Sequence, residues 1–204
     1  MMPASSRLLS ILALSIAATC ANAASISIEP ASQTTTVGSS LSTTIRISDL
    51  SAGSAPSLGA FDLNLAFDSA VLSFSGLSYG SGLDVLGLGS IRFSDTSAPG
   101  VLNIGEISLD AEADLNTLQN GAFDLFTVTF QAIGAGTSTL NLQINSLADA
   151  AGLDLSASTT NASVSVAPVP LPAAAWLLMS GLVGLMGTAR RRSLPSPVVA
   201  GARS

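Results

Sequence analysis

Long stretches between residues 41 and 166 place an apolar or methyl-bearing side chain at every second position. Leu41, Thr43, Ile45 and Ile47 alternate with Ser42, Thr44, Arg46 and Ser48, and Phe61, Leu63, Leu65 and Phe67 alternate with Asp62, Asn64 and Ala66. The same period returns in residues 101–107, in Phe126-Thr127-Val128-Thr129-Phe130, in residues 140–144 and in Val164-Ser165-Val166. A period of two turns one row of side chains to a core and the other to water, as a half-buried antiparallel strand requires. Segments rich in Gly, Ser, Ala and Pro interrupt the pattern at 51–57, 80–89, 97–100 and 134–136 and read as turns. Eight or nine short strands at this spacing predict an all-β, two-sheet sandwich, with one helical turn at 110–118.

The two ends of the chain break this period. Arg7 precedes an apolar run over residues 8–18, and Ala21-Asn22-Ala23 offers the small residues that signal peptidase needs, so residues 1–23 read as a signal peptide. Cleavage after Ala23 leaves Ala24 as the new N-terminus and discards Cys20, the sole cysteine. A lipidated Cys20 is the other reading, although Ala17-Ala18-Thr19 departs from a lipobox. Residues 173–189 hold no charge, and as a helix rising ~1.5 Å per residue they cover about 25 Å, enough for a hydrocarbon core. Arg190, Arg191 and Arg192 then stay in the cytoplasm, which puts the body outside it and makes residues 193–204 a cytoplasmic tail.

Val169-Pro170-Leu171-Pro172, the apolar run opening Ala173-Ala174-Ala175-Trp176-Leu177-Leu178, and the arginine cluster together resemble the PEP-CTERM sorting signal, here over residues 168–192. That signal marks exported proteins of Gram-negative bacteria that make extracellular polysaccharide. The resemblance implies processing near the proline box by an exosortase, a membrane-embedded cysteine protease. Leu171 stands where the motif has Glu, and twelve residues follow Arg192 where such signals usually stop. An ordinary C-terminal membrane anchor is the plainer reading of the same residues.

Setting both ends aside changes the electrostatics. All thirteen carboxylates lie between Glu29 and Asp154 against only Arg46 and Arg92, a net charge of −11 where the whole chain carries −6. Such a field repels nucleic acid and anionic lipid, and attracts divalent cations or a basic partner. The chain has no His and no Lys, so triads, His-based acid–base pairs and Schiff-base nucleophiles are excluded, and the body has no thiol. A carboxylate pair remains available as acid and base, but nothing singles out one pair among thirteen, and an enzyme is not expected. A body of residues 24–167 holds one ordinary core and no disulfide.

A second resemblance lies in the body. Gly59-Ala60-Phe61-Asp62-Leu63-Asn64-Leu65-Ala66-Phe67-Asp68-Ser69-Ala70-Val71-Leu72 is similar to the cohesin signature of a strand ending in an aromatic residue and Asp, a turn, and Val-Leu. Phe126-Thr127-Val128-Thr129-Phe130-Gln131-Ala132 with the Gly134–Leu140 turn that follows, and the opening residues 26–47 with Val37-Gly38, fit the same plan. The resemblance implies a cohesin-like or jelly-roll sandwich, and competence to bind a dockerin-like protein or a carbohydrate, without naming partner-reading residues. Asp68 is expected to accept backbone N–H bonds in its turn while Phe67 and Leu72 pack inward. Tyr79 is the one tyrosine, Trp176 lies in the sorting segment, and the seven Phe mostly occupy strand positions that read as core, so the sequence offers no aromatic platform in support of sugar binding.

One acidic cluster suggests a metal. Asp110, Glu112 and Asp114 alternate as Ca²⁺ ligands do in an EF-hand, yet Leu115 stands where the tight-turn Gly belongs and Gly121 where the bidentate Glu belongs. A solvated helix start accounts for the same residues. No other cofactor is expected. Asn161-Ala162-Ser163 is a formal glycosylation sequon. The leading expectation is a non-catalytic exported protein of the envelope or extracellular matrix, processed by signal peptidase and exosortase and anchored through 173–189. The alternative is a cohesin-like adhesion or scaffolding module that binds a dockerin-like protein or a polysaccharide.

Overall fold

The computed structural model describes residues 23–169 together with Leu177, Leu178, Ser180, Gly181 and Val183, which are helical. Cys20, Ala21, Pro170, Leu171, Pro172, Trp176 and the cluster Arg190, Arg191 and Arg192 lie outside the described residues, as do nearly all of the signal peptide, most of the sorting segment and the tail. Among the described residues, no helix is long and apolar enough to cross a membrane.

Within residues 23–169 eleven strands and one helix follow one another: β1 (Ala24–Glu29), β2 (Ser32–Thr36), β3 (Ser40–Ser48), β4 (Leu58–Ala66), β5 (Leu72–Tyr79), β6 (Ser90–Asp95), β7 (Val101–Ser108), α1 (Glu112–Leu118), β8 (Phe123–Ala132), β9 (Gly136–Asp149), β10 (Ala157–Thr160) and β11 (Ala162–Ala167). They form two sheets, β10-β1-β3-β8-β5 and β2-β11-β9-β4-β7-β6. The number exceeds the expected eight or nine for a physical reason. Ser32-Gln33-Thr34-Thr35-Thr36 and Ala157-Ser158-Thr159-Thr160 pair at sheet edges, where no apolar row is needed to hold them. Pro30, which has no N–H to give a ladder, stands where the first strand leaves one sheet and continues as β2 in the other.

The period-two rows point where the pattern predicts. Leu41, Thr43, Ile45 and Ile47 of β3, Phe61, Leu63 and Leu65 of β4, Phe126, Val128 and Phe130 of β8, and Val164 and Val166 of β11 are buried between the sheets. Two aromatic pairs bridge the layers: Phe61 stacks on Phe126 with centroids 5.8 Å apart, and Phe67 tilts on Phe130 at 5.0 Å. Such pairs contribute about 0.5–1.5 kcal/mol each beyond their buried area. Asp68 behaves as its turn requires: its Oδ1 accepts the Ala70 N–H at 2.8 Å and its carbonyl accepts those of Val71 and Leu72, while Leu72 is fully buried.

Most of the pairing is antiparallel, but β1 runs parallel to β10 and β2 parallel to β11. Ala24 therefore sits opposite Ala157 at one end of the sandwich, and Ala167 opposite Thr36 at the other. The helix α1 spans the gap between β7 and β8. Glu112 and Asp114 lie in its first turn, where negative charge suits the exposed N–H groups. Just past its end the buried Gln119 grips two other segments: its Oε1 accepts the Leu58 N–H at 2.6 Å, and its Nε2 donates to the carbonyls of Leu58 and Gly82, both at 2.9 Å.

Candidate binding face

The two outer faces of the sandwich differ in how far their polar groups are satisfied within the protein. On the five-stranded sheet, β3 and β8 carry a ladder that closes on itself. Ser40 donates to Gln131 at 2.8 Å, Ser42 and Thr129 share a hydrogen bond, Thr44 and Thr127 share another, and Arg46 meets Asp124 at 2.7 Å. Small hydroxyls bonded across strands leave little for a partner to grip.

The six-stranded sheet presents a different surface. Asp62 and Asn64 point outward from β4, Asn103 from β7, and Asn145 from β9. A register shift between Asp62 and Leu63 leaves Asn145 as the extra residue of a bulge, turned onto the same face. The four side chains form a closed ring of hydrogen bonds. Asn103 Nδ2 donates to Asp62 Oδ1 and, at 3.0 Å, to Asn64 Oδ1; Asn64 Nδ2 donates to Asn145 Oδ1 at 3.0 Å; Asn145 Nδ2 returns to Asp62 Oδ1 at 3.1 Å. Each group is held in place with hydrogen-bonding capacity to spare.

Beside this ring lies apolar surface. Ile91 of β6 stands opposite Ile107 of β7, and they are 53% and 43% exposed. Phe93 lies across the strand from Gly105, and a Cβ at Gly105 would come within 2.0 Å of its Cζ, so the ring rests directly on the β7 backbone. Phe93 is 39% exposed, an exception to the expectation that the Phe residues read as core. Leu86, Leu88 and Leu109 extend the exposed apolar area from the neighbouring loops. Asp95 ends the β6 row; the Ser97 N–H bonded to its Oδ1 holds its carboxyl below the usual carboxylate range.

The same alternation places charge beneath this patch. Along β7 the inward position after Ile104 is Glu106, whose side chain is 1% exposed, while Ile107 faces out. Glu106 Oε1 accepts Arg92 Nε at 2.8 Å and Ser90 Oγ at 2.5 Å. The Arg92 guanidinium lies 5.0 Å from the Tyr79 ring centroid, and the Tyr79 hydroxyl donates to the Phe93 carbonyl at 2.8 Å. Burial raises the Tyr79 phenol above its ordinary value, Glu106 raises it further, and Arg92 opposes them. These contacts fasten the edge strand β6, and with it Ile91 and Phe93, to the body.

Of the residues singled out from sequence, Ala23 and Val169 are exposed at the two ends of the described body. Asp110, Glu112 and Asp114 are not brought together. Asp110 is buried, Glu112 opens α1 with Asn116 Nδ2 3.5 Å from its Oε1, and Asp114 stands half-exposed on the helix. Among the described residues no group of three or more His, Cys, Asp or Glu side chains is placed to hold a metal ion. Sequence reading missed Phe93, Ile91 and Asn145. A lone Gly inside the alternating strand of residues 101–107 was the available signal, since Gly in a strand marks a close approach.

No family model and no curated protein matches this chain. Solved cohesin structures do. A non-cellulosomal cohesin from the hyperthermophilic archaeon Archaeoglobus fulgidus aligns at 19% identity and a TM-score of 0.55, covering 71% of this chain and 91% of that one. The Coh-OlpA-Doc918 structure, a type I cohesin–dockerin complex from Clostridium thermocellum, matches at 11% identity and a TM-score of 0.58, over 72% and 100%. The seventh ScaB type I cohesin from Pseudobacteroides cellulosolvens matches at 16% and 0.57, over 74% and 96%. At these identities the likeness establishes the fold, and the sandwich is cohesin-like.

Proposed function

We propose that the sandwich is a non-catalytic, cohesin-like binding module whose outer β9-β4-β7-β6 face receives a dockerin-like protein. The observation that carries this reading is the placement of exposed Phe93, Ile91 and Ile107 directly beside the hydrogen-bonded ring of Asp62, Asn64, Asn103 and Asn145. An exposed apolar anchor next to pre-positioned polar groups is the anatomy of a protein-binding patch. The cohesin fold adds support, because the matching Clostridium thermocellum structure is a complex with a dockerin. A photo-crosslinking residue replacing Ile91 in the full-length chain is expected to capture one stoichiometric protein partner in envelope extract, while the same residue at Thr44 captures none. Equal capture at both positions would sink the assignment of the face. Loss of capture when soluble exopolysaccharide is added before irradiation would assign the face to a glycan instead, with Phe93 as the stacking ring.

The module's address is a separate part of the proposal. Signal peptidase cleaves after Ala23, an exosortase acts near Val169-Pro170-Leu171-Pro172, and the body works in the envelope or extracellular matrix of a Gram-negative cell. Until then residues 173–189 anchor it in the membrane with the C-terminus in the cytoplasm. Both sequence ends support this, and so does the exposure of Val169 two residues beyond β11. Intact mass of the protein from its native cells tests it. A form running from Ala24 to near Pro170 is expected, and a membrane form retaining Arg190, Arg191 and Arg192 would exclude processing.

A further inference from the structure

We propose that Asp110 and Asp149 hold one divalent cation, Ca²⁺ by its ligand chemistry, in the pocket between β4, the start of α1 and the turn after β9. Three observations converge there. Asp110 is 8% exposed, and its two carboxylate oxygens are treated unequally. Oδ2 accepts the N–H groups of Val85 at 2.7 Å and Leu86 at 3.4 Å, and the residue's own N–H donates to Ser108 Oγ at 3.1 Å. Oδ1 is fully buried and has no hydrogen-bond partner. Polar atoms so placed are rare in folded proteins, and a bound ion is one of the few arrangements that account for them.

The second observation is charge. The basic residues of the described body are Arg46, paired with Asp124, and Arg92, paired with Glu106. Neither serves Asp110. Buried charges are paired or they coordinate metals, and among the described residues no cation is placed to pair with this carboxylate.

The third is the shape of the pocket. It holds about 180 Å³, and Asp110 shares its wall with Asp149, Ser108, Gly59 and Ala150. Asp149 commits Oδ1 to the N–H groups of Ala151 at 2.9 Å and Leu153 at 2.8 Å, bonds that leave Oδ2 uncommitted. Gly59 makes the approach feasible, because a Cβ there would come within 2.5 Å of the Asp149 carbonyl and 2.9 Å of Ala150 Cα. The donors on offer are carboxylate, carbonyl and hydroxyl oxygens, with no nitrogen or sulfur. Ca²⁺ accepts six to eight such ligands in adaptable geometry with water completing the set, whereas Mg²⁺ demands a tighter octahedron. The site differs from the trio suggested by sequence, because Glu112 and Asp114 take no part.

Calorimetric titration and thermal melting of the EDTA-stripped full-length chain test the proposal. Ca²⁺ is expected to bind one-to-one and to raise Tm by several degrees, with Mg²⁺ at least tenfold weaker. Asp110→Asn and Asp149→Asn are each expected to abolish both effects, and Glu112→Gln and Asp114→Asn to preserve them. The proposal is overturned if the wild-type chain shows no heat and no Tm change with millimolar Ca²⁺, in which case a buried water satisfies Oδ1. It is equally overturned if binding survives in Asp149→Asn or is lost in Asp114→Asn. Because Asp110 also secures the loop of Val85 and Leu86, Asp149→Asn provides a second reading should Asp110→Asn fold poorly.

Discussion

Phe93 and Gly105 show how one missing side chain shapes a surface. The ring covers the strand only because Gly105 has no Cβ to lift it. Gly105→Ala is expected to swing the ring away at little cost in stability, under about 1 kcal/mol, since the clash falls on the mobile end of a side chain. Partner capture from position 91 should nevertheless drop, which separates binding from folding in a single variant. Gly59→Ala meets backbone instead, and overpacking there is expected to lower urea stability by about 1–3 kcal/mol. Removing the Arg92 side chain strands Glu106 with only Ser90 as a partner. Breaking a fully buried pair costs about 3–5 kcal/mol, and with Arg92 half in water about 2 kcal/mol is expected for Arg92→Ala. Tyr79 sets a pH limit. Its raised pKa means the folded state keeps the phenolic proton above pH 10 while the unfolded chain releases it. Stability is therefore full below the ordinary tyrosine value and declines as pH rises past it, a slope that Tyr79→Phe should flatten in urea midpoints measured across that range.

Among the elements, α1 is short and has no side-chain N-cap, so its position depends on what it is attached to. Leu115 is buried beneath it and Gln119 at its end holds Leu58 and Gly82. Gln119→Ala would leave three buried or half-buried backbone groups unpaired. A loss of about 3 kcal/mol is expected by chemical denaturation. The strands with an apolar row were legible in the sequence, because burial of one face writes period two into the residues. So was the helical turn. The edge strands β2, β6 and β10 were not, since an edge bordered by water tolerates Ser, Thr and Arg on either side. The binding face was hidden for a related reason: Ile107 and Glu106 exchange their usual places, and only the pairing register shows which of them points out. Asn145 reaches that face through a bulge, which shifts parity by one residue and leaves no mark in the composition.

At the scale of the whole molecule, the acidic body and its cohesin-like topology have separate consequences. Thirteen carboxylates against two arginines make self-repulsion a standing cost, so added salt is expected to raise the melting temperature up to about 0.15 M, where the Debye length has shrunk to about 8 Å. The parallel terminal strands decide something else. Because β1 lies alongside β10 and β2 alongside β11 in the same direction, the chain enters and leaves at opposite tips of the sandwich. Tension applied between Ala24 and Ala167 runs along those strands, and their four and five registered positions are loaded in shear all at once instead of being unzipped one at a time. A sandwich tethered at one tip and dragged from the other would hold until a whole seam ruptures.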